Sequence, residues 1–288
     1  MSLVSVYIPT HNRSDLLIRA LESVLRQTHQ QIEIIIVDDG SLDDTYEVVQ
    51  GYIQHNTNII YLKHEQAKGA CAARNYALSI AQGEYITGLD DDDEFLPHHV
   101  AGLLKGFDAQ YSFVAACLIE DSGSNKIERV LDCGVIKLDS LLHYNKVGNQ
   151  VFTLTSRLKA IGGFDESFPA FQDYDTWVRL VEKFGAGIKI KQASYVWHTS
   201  HEQARISNFP TKRLAALNMF ITKHDKLMSA KHKNSLEVMR IRMASEPFSL
   251  YSFFKLVNSG NLKASIALYL NRNLTAFKKV IDRLRFAK

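Results

Sequence analysis

Apolar segments of strand length alternate with segments of helical periodicity over the first hundred residues. The apolar segments are rich in β-branched residues and cover residues 4–8, 32–37, 59–62 and 85–89. The helical segments between them cover residues 15–27, 43–54 and 71–81. Strands that alternate with helices in this way form parallel sheets with helices on both faces. We therefore predict an α/β fold with a mostly parallel, doubly wound central sheet.

Polar motifs follow three of these strands. The first strand ends in "PTHNR", the second in "DDGS" and the fourth in "DDDD". Because ligands of such sheets bind beyond the carboxyl ends of the strands, we expect one site to be built from these three loops. Neither a GxGxxG fingerprint nor a Walker GxxxxGK[ST] motif is present, so neither a dinucleotide site nor a P-loop is predicted.

The loop from Asp90 to Glu94 has five consecutive carboxylates, which repel one another unless positive charge offsets them. A divalent cation such as Mg²⁺ or Mn²⁺ would offset them, since both prefer carboxylate and water ligands. The alternative is a solvated acidic turn before a helix that starts near His98. The carboxylates of "DDGS" could accept a hydrogen bond from a nucleobase or ribose, or could cap the following helix.

Charge divides the chain into two parts of opposite sign. Residues 1–204 contain 17 Lys and Arg against 27 Asp and Glu, whereas residues 205–288 contain 17 against 4. The basic part has helical apolar spacing that extends to Phe277, Ile281 and Leu284. Such helices bind anionic membrane surfaces, or they pack on the acidic part, and we keep both alternatives. Nucleic acid is not an expected partner, because no recognised binding motif accompanies the charge.

The chain has no positively charged leader and no apolar window of membrane-spanning length. We therefore expect a cytoplasmic protein, which the basic region could hold at the inner face of the cell membrane. Cys71, Cys117 and Cys133 lie far apart in the sequence without CxxC spacing. We predict that all three are reduced packing residues.

Five ordered motifs resemble glycosyltransferase family 2, the inverting nucleotide-sugar glycosyltransferases with the GT-A fold. They are "VSVYIPTHNRSDLLIRALESVLRQT", "IEIIIVDDGSLDDT", "KGACAARNYAL", "GEYITGLDDDDEFLP" and "GGFDESFPAFQDYDTWVRL". The resemblance implies a GT-A domain over residues 1–207 and a helical, basic C-terminal region over 208–288. It also implies a nucleotide-sugar donor, with UDP favoured by its frequency in the family, and a saccharide or lipid-linked saccharide acceptor.

The resemblance assigns nucleotide-binding roles to residues of the first three motifs. Pro9, Thr10 and Asn12 match positions at the nucleotide pocket, and Asp39 is expected to face the uracil ring. Arg74 matches a position that contacts the base or the phosphates.

The fourth motif corresponds to the DxD motif of the family, with Asp90 and Asp92 in its outer places. The resemblance implies that Asp92 ligates Mn²⁺ or Mg²⁺ and that Asp91 contacts the ribose. Asp93 is expected to cap the following helix. His198, in the segment "YVWHTSHEQARIS", matches a histidine that completes the metal shell in the family.

The catalytic base of the family matches Asp173. The preceding position, usually Glu, is Gln172 here, and this departure puts the role of position 172 in doubt. Asp173 would take the proton of the acceptor hydroxyl as it attacks the anomeric carbon, and Asp175 is the next candidate. Two alternatives from other classes remain: a nucleotidyltransferase that releases pyrophosphate, and a catalytically silent sugar-nucleotide binding module.

Overall fold

A computed structural model describes residues 2–200 and 210–274. Within these ranges the chain divides into two compact units. The larger unit comprises residues 2–138, 146–167 and 172–200, and the smaller unit comprises residues 139–145, 168–171 and 210–274. Two short segments from the first 200 residues therefore group with the C-terminal helices. The domain boundary that we predict at residue 207 lies outside the described residues.

The larger unit contains a five-stranded sheet in which four strands are parallel. Its strands are β1 (Val4–Thr10), β2 (Ile32–Asp38), β3 (Ile59–Lys63), β4 (Tyr85–Gly88) and β9 (Thr153–Leu154). Their order is β3-β2-β1-β4-β9, and β9 runs antiparallel to β4. Every residue of β1 and β2 is buried, as is typical of central strands covered on both faces. The predicted α/β fold is confirmed.

Helices connect these strands and flank the sheet. The helices of the larger unit are α1 (Ser14–Leu25), α2 (Thr45–Ile53), α3 (Ala70–Ile80), α4 (His99–Gly106), α6 (Thr155–Ala160) and α7 (Gln172–Phe184). The first three begin and end within two residues of the predicted bounds. In α1 the apolar face buries Leu17, Leu21 and Val24, which recur at the helical period, and the helix packs on β1.

One carboxylate serves the first turns of two helices. Asp43 accepts hydrogen bonds from the backbone N–H of Ser14 at 3.1 Å and from that of Thr45 at 3.2 Å. These are the first residues of α1 and α2, whose N–H groups have no partner within their own helix. The contact therefore links the loop after β2 to the loop after β1.

A second sheet lies within the larger unit and was not predicted from the sequence. Its strands are β5 (Glu94–Phe95), β6 (Val114–Asp121), β7 (Lys126–Arg129), β8 (Gly134–Ile136) and β10 (Gly187–His198). The long strand β10 runs parallel to β6 and antiparallel to β5 and β8. Val196 pairs with Glu94, so the end of β10 lies directly beside the acidic loop.

The smaller unit is helical, as predicted for the C-terminal region. Its helices are α5 (Leu138–His143), α8 (Pro210–His224), α9 (Ala230–Met243), α10 (Leu250–Leu256) and α11 (Leu262–Asn273). Leu138, the first residue of α5, belongs to the larger unit, and the rest of that helix to the smaller unit. The predicted apolar residues Phe277, Ile281 and Leu284 lie outside the described residues.

The last three helices share a small apolar core. It is formed by Val238, Ile241, Phe248, Leu256 and Leu268. Their apolar stripes therefore pack on one another within this unit. In the part of the chain that the structure describes, none of the helices combines the length and the apolar content that a membrane crossing requires.

Two of the three cysteines are neighbours in space. Cys117 on β6 and Cys133, just before β8, place their sulfur atoms 3.0 Å apart. All three cysteines are free thiols, and Cys71 and Cys117 are buried. The contact was not predictable from the wide sequence spacing of the cysteines, because the second sheet brings Cys117 and Cys133 together.

Candidate active site

The polar loops after β1 and β4 meet as predicted. The hydroxyl of Thr10, the last residue of β1, donates a 2.9 Å hydrogen bond to Asp91. Both side chains are buried, and Arg13 in the same first loop donates to Asp91 at 3.0 Å. Parallel strands bring their carboxyl ends to one edge of the sheet, which explains why residues about eighty positions apart meet here.

Arginines of the protein itself offset much of the charge of the acidic loop. Arg13 contacts Asp91 and lies 3.6 Å from Asp92, while Arg74 on α3 lies 3.0 Å from Asp90. Arg19 on α1 pairs with Glu94 at 3.3 Å and donates to the backbone carbonyl of Asp92. Neither Arg13 nor Arg19 was predicted as a site residue from the sequence, although Arg13 stands in the loop "PTHNR".

Burial makes two of the loop carboxylates hard to ionise. It raises the pKa of Asp91 to about 6, against the opposing charge of Arg13. Burial, together with the charges of Asp90 and Asp92, also raises the pKa of Asp93 well above its ordinary value. Asp91 and Asp93 therefore ionise less readily than exposed aspartates.

The predicted capping role of Asp93 is wrong. Its carboxylate accepts hydrogen bonds from the Tyr195 hydroxyl at 2.8 Å and from the backbone N–H of His198 at 3.0 Å. Both partners lie on β10, whereas α4 begins at His99 without a side-chain cap. Asp93 thus fixes the acidic loop to the second sheet.

His198 lies between two carboxylates at the end of β10. Its Nε2 atom is 3.0 Å from Glu94, and its Nδ1 atom is 3.6 Å from Asp121. The hydrogen bond from His198 is the main reason that the pKa of Glu94 lies below its ordinary value. The ring is therefore already held by acidic groups at the place where we predict a metal ligand.

The acidic loop offers few preassembled protein ligands for a cation. Among residues 2–200 and 210–274, one group of three potential ligands has converging ligand atoms. This group of His and Asp side chains lies in the smaller unit and not at the acidic loop. A cation at the acidic loop would therefore take most of its ligands from water and substrate oxygens. This is the usual coordination of Mg²⁺, which is commonly held by one or two carboxylates.

Asp39 occupies a cradle of donors at the end of β2. It accepts hydrogen bonds from His64 at 2.7 Å and from the backbone N–H groups of Lys68 and Gly69 at 2.8 and 2.7 Å. Burial alone would raise the pKa of Asp39, but these hydrogen bonds outweigh it and hold the pKa below its ordinary value. His64 and Lys68 are further site neighbours that were not predicted from the sequence.

Asn12 joins the loops after β1 and β2. Its backbone N–H donates to the Ser41 hydroxyl at 2.8 Å, and its side-chain oxygen accepts from the N–H of Leu42 at 2.7 Å. Its φ of 52° is in the left-handed region, which asparagine tolerates better than most residues. Pro9 is a buried residue of β1 that pairs with Val37, so both predicted residues contribute to the frame of the pocket.

Gly40 brings the "DDGS" turn against the segment that surrounds Asp39. Its φ is 75°, and a Cβ atom at this position would lie 2.8 Å from the Ala67 nitrogen and 2.9 Å from the Gln66 carbonyl carbon. Only glycine fits such a close backbone approach. The turn therefore sets the position of the donors that hold Asp39.

Arg74 couples the acidic loop to α7. Although burial alone would lower its pKa, the charges of Asp90 and Asp173 raise the pKa of Arg74 above its ordinary value. The guanidinium lies over the Phe164 ring at 5.4 Å, and its buried Nε atom has no hydrogen-bond partner within the described residues. A buried donor without a partner is costly, so this nitrogen suits an anionic ligand.

Asp173 lies in the first turn of α7, directly after Gln172. Burial raises the pKa of Asp173 to about 6; the charge of Arg74 opposes this rise and that of Asp90 adds to it. A carboxylate with this pKa is ionised at neutral pH and is a stronger base than an exposed aspartate.

Asp175 has a structural environment instead. It is fully buried and accepts a 2.8 Å hydrogen bond from Arg179, one turn along α7. Arg179 also donates to the backbone carbonyls of Ile161 and Gly163. Because this carboxylate anchors α7 through an ion pair, Asp175 is a poor candidate for a base.

The fold is typical of glycosyltransferases with the GT-A fold. Residues 5–161 match the family model described as Glycosyl transferase family 2. The chain belongs to this family and is a glycosyltransferase.

Two relatives and two solved structures illustrate the similarity. A protein of Escherichia coli K12 with the provisional name colanic acid biosynthesis glycosyl transferase WcaA is 37% identical over 89% of this chain and 88% of its own. WfaP of Escherichia coli is named UDP-Glc:alpha-D-GlcNAc-diphosphoundecaprenol beta-1,3-glucosyltransferase. It is 33% identical over 68% of this chain and 76% of its own. TarS 1–349 of S. aureus in complex with UDP-GlcNAc has a TM-score of 0.66 at 18% identity, over 92% of this chain and 79% of that chain. The mannosyltransferase PcManGT of Pyrobaculum calidifontis, in complex with GDP-Man and Mn²⁺, has a TM-score of 0.65 at 18% identity. This match covers 96% of this chain and 81% of that chain.

Proposed function

We propose that this chain is an inverting, metal-dependent glycosyltransferase. It transfers a sugar from a UDP-sugar to a hydroxyl of a saccharide or lipid-linked saccharide in the synthesis of a cell-surface polysaccharide or lipopolysaccharide. One observation carries the proposal: Arg74 acts electrostatically on Asp90 in the acidic loop and on Asp173 at the start of α7. Donor-binding loop and candidate base thus belong to one site.

The donor nucleotide binds at the edge of the first sheet, where the loops after β1, β2 and β4 lie. The two oxygens of Asp39 offer about four acceptor positions, and three hydrogen bonds from the protein occupy three of them. The remaining position suits the N–H group of a uracil ring. Asp91, which accepts a hydrogen bond from Thr10, would contact the ribose, and the Nε atom of Arg74 would donate to a diphosphate oxygen.

The acidic loop fits a hard divalent cation, because its ligands are carboxylate oxygens. Asp92 would hold Mg²⁺ or Mn²⁺, and His198 would join only if its Nε2 atom exchanged Glu94 for the ion. Such an ion neutralises charge that develops on the leaving diphosphate.

Asp173 performs the proton transfer. The acceptor hydroxyl attacks the anomeric carbon of the donor, the bond from that carbon to the diphosphate oxygen breaks, and Asp173 takes the hydroxyl proton. Because attack and departure occur on opposite faces of the sugar, an α-linked donor gives a β-linked product. Arg74 favours the ionised form of Asp173 in the free enzyme.

The names of relatives support the substrate classes. WfaP is named for a UDP-Glc donor, an undecaprenol-linked acceptor and a β-1,3 product, and WcaA is named for colanic acid synthesis. PcManGT, whose bound donor is GDP-Man, shares only the fold at 18% identity. We therefore propose UDP rather than GDP as the donor nucleotide.

Product analysis tests this proposal. The full chain is incubated with Mn²⁺, a panel of UDP- and GDP-sugars, and undecaprenol-linked saccharide acceptors. We expect UDP as the released product, loss of turnover in Asp173→Asn, and unchanged turnover in Asp108→Asn, which alters an exposed carboxylate. Release of pyrophosphate would indicate a nucleotidyltransferase, and donor binding without turnover for any acceptor would indicate a silent binding module.

We also propose that the smaller unit contacts an anionic membrane surface through α10. Leu250, Tyr251 and Phe254 on this helix are 54%, 75% and 69% exposed, and Lys255 follows them. Exposed apolar side chains beside basic ones are typical of helices that lie in the lipid interface. The net positive charge of the C-terminal region supports the same surface.

Vesicle sedimentation tests the membrane proposal. The full chain should co-sediment at low salt with vesicles of phosphatidylcholine and phosphatidylglycerol, and the triple variant Leu250→Ser, Tyr251→Ser, Phe254→Ser should not. Leu42→Ser is the matched control, because Leu42 is 93% exposed but lies in the acidic larger unit. Equal sedimentation of the wild type and the triple variant would refute the role of α10.

A further inference from the structure

Three potential metal ligands converge within the smaller unit. Asp139 and His143 lie one turn apart on α5, and His232 lies on α9. One ligand atom from each lies within 4.8 Å of the others. Both histidines are buried, whereas the side chain of Asp139 is 84% exposed. None of these residues belongs to the proposed active site.

The ring of His143 is oriented by a chain of hydrogen bonds. The Ser235 hydroxyl donates to the backbone carbonyl of Lys231 at 3.0 Å, so its oxygen accepts from Nδ1 of His143 at 2.7 Å. The proton therefore resides on Nδ1, and Nε2 carries the lone pair. Metal-ligating histidines are commonly fixed in this way by a hydrogen bond from the other ring nitrogen.

Gly260 brings backbone against the face of the same ring. A Cβ atom at this position would lie 2.3 Å from Cε1, Nδ1 and Nε2 of His143. This close approach, together with the Ser235 hydrogen bond, restricts the rotation of the imidazole. The ligand atom of His143 is thus held in place before any ion binds.

His232 meets Asp139 on the opposite side of the cluster. Its Nε2 atom is 3.0 Å from the Asp139 carboxylate, and its Nδ1 atom accepts from the backbone N–H of Ser229 at 3.1 Å. The Ser229 hydroxyl lies 3.3 Å from Nδ1, so it can accept a hydrogen bond from a protonated Nδ1 when Nε2 binds an ion. Ser229 can therefore form a hydrogen bond with Nδ1 of His232 in either tautomer.

We propose that Asp139, His143 and His232 form a binding site for Zn²⁺ or a chemically similar divalent transition-metal ion. Two imidazoles and one carboxylate are a typical Zn²⁺ ligand set, with water in the fourth position. Ligand bonds of roughly 2.0 to 2.1 Å place neighbouring atoms of a tetrahedral site about 3.3 Å apart. The 3.0 Å between Nε2 of His232 and the Asp139 carboxylate is close to this value, and the three ligand atoms lie within 4.8 Å of one another, so side-chain rotations would complete the site. The ion links α5 to α9, and the exposed Asp139 provides its route of entry.

Co²⁺, whose tetrahedral complexes absorb visible light, is the probe of this site. The full chain is stripped with a chelator, and Co²⁺ is added in the presence of excess Mg²⁺, which occupies the acidic loop. We expect one equivalent of Co²⁺ to give tetrahedral ligand-field absorption, and one equivalent of Zn²⁺ to abolish it. The same Zn²⁺ should protect the chain against heat unfolding.

Conservative variants separate the site from adventitious binding. His143→Asn retains a donor near Ser235 and His232→Asn retains an acceptor for Ser229, yet both delete the Nε2 ligand. Each should weaken Co²⁺ binding by at least about a hundredfold. His55→Asn alters an exposed histidine of the larger unit and should bind normally, as should Asp92→Asn.

Two results would overturn the site. One is the absence of stoichiometric Co²⁺ binding by the wild-type chain, and the other is wild-type binding by His143→Asn. Loss of binding in Asp92→Asn alone would place the ion at the acidic loop instead. If a histidine variant fails to fold, Asp139→Asn replaces it, since that side chain is exposed and should weaken Co²⁺ binding without disturbing the core.

Discussion

Replacing Asp173 with asparagine should abolish catalysis while stabilising the folded protein. The side chain keeps its shape but cannot accept the acceptor proton, so turnover should fall by roughly 10²-fold or more. Donor affinity should stay within a few-fold, because the proposed diphosphate ligands are Arg74 and the cation at Asp92. Turnover measured as UDP release and donor affinity measured by calorimetry with UDP and Mn²⁺ separate these two effects.

The stability gain follows from the raised pKa of Asp173. Burial raises it from an ordinary 3.8 to about 6, so ionised Asp173 costs the folded state free energy. About two pKa units at 1.36 kcal/mol each give an upper value of about 3 kcal/mol. Asparagine does not ionise, and Asp173→Asn should therefore raise the free energy of unfolding by about 1 to 3 kcal/mol at pH 8.

The pH dependence fixes the sign of this effect. Because the pKa of Asp173 is higher in the folded state, the folded state binds the proton more tightly than the unfolded chain does. Protonation of Asp173 therefore makes its full contribution to stability below the ordinary pKa of an aspartate. This contribution is lost as the pH rises through about 6. The difference between variant and wild type should shrink to less than about 1 kcal/mol at pH 4. In the same window, wild-type kcat/KM should fall about tenfold per pH unit below the pKa of the base.

Denaturant unfolding at pH 4 and pH 8 measures the stability difference, and Asp108→Asn is the control for charge removal. The reasoning would be refuted if Asp173→Asn unfolded more easily than wild type at pH 8 and also retained wild-type turnover. Loss of stability with loss of turnover would instead show that Asp173 is a structural anion paired with Arg74.

Three further predictions concern the cation and the thiols. Excess chelator should abolish UDP binding and turnover, and full activity after verified metal removal would show that the acidic loop is only a turn. Asp92→Asn should lower donor affinity and turnover together by about tenfold or more, because it removes a charge from the proposed metal shell; unchanged calorimetric affinity for UDP and Mn²⁺ would contradict this. Diamide should oxidise Cys117 and Cys133 to a disulfide across their 3.0 Å contact, leaving Cys71 as the thiol that maleimide labels after unfolding; labelling of all three would contradict it.

The first sheet was predictable because its central strands are buried on both faces. Such strands read as continuous apolar runs, and the turns between them carry glycine, aspartate and serine. Most strands of the second sheet give no comparable signal. β5 has two residues, β8 has three and all four residues of β7 are exposed, so these strands show neither length nor alternation. Their pairing depends on β10, which follows them in the sequence.

Residue types at the site were predictable, but their partners were not. Thr10, Asp39 and Asp90 to Asp92 each lie at or next to the end of a strand, where the topology alone brings them to one edge. The ion pair between Arg13 and Asp91 joins residues 78 positions apart, and the hydrogen bond between Tyr195 and Asp93 joins residues 102 apart. The local capping pattern therefore predicted the wrong partner for Asp93, because its carboxylate binds distant residues of β10.

The two proposed cation sites differ in what the protein supplies before the ion binds. At the acidic loop, Arg13 and Arg74 pair with carboxylates, and burial raises the pKa values of Asp91 and Asp93, so the fold holds this loop without a cation. A cation there would act mainly on the diphosphate, whose negative charge the carboxylates of the loop would otherwise repel. At Asp139, His143 and His232, two imidazole rings and one carboxylate form a set that an ion would complete, and such an ion would link two helices. Removal of the first ion should therefore cost activity and leave the fold intact, whereas removal of the second should weaken the smaller unit.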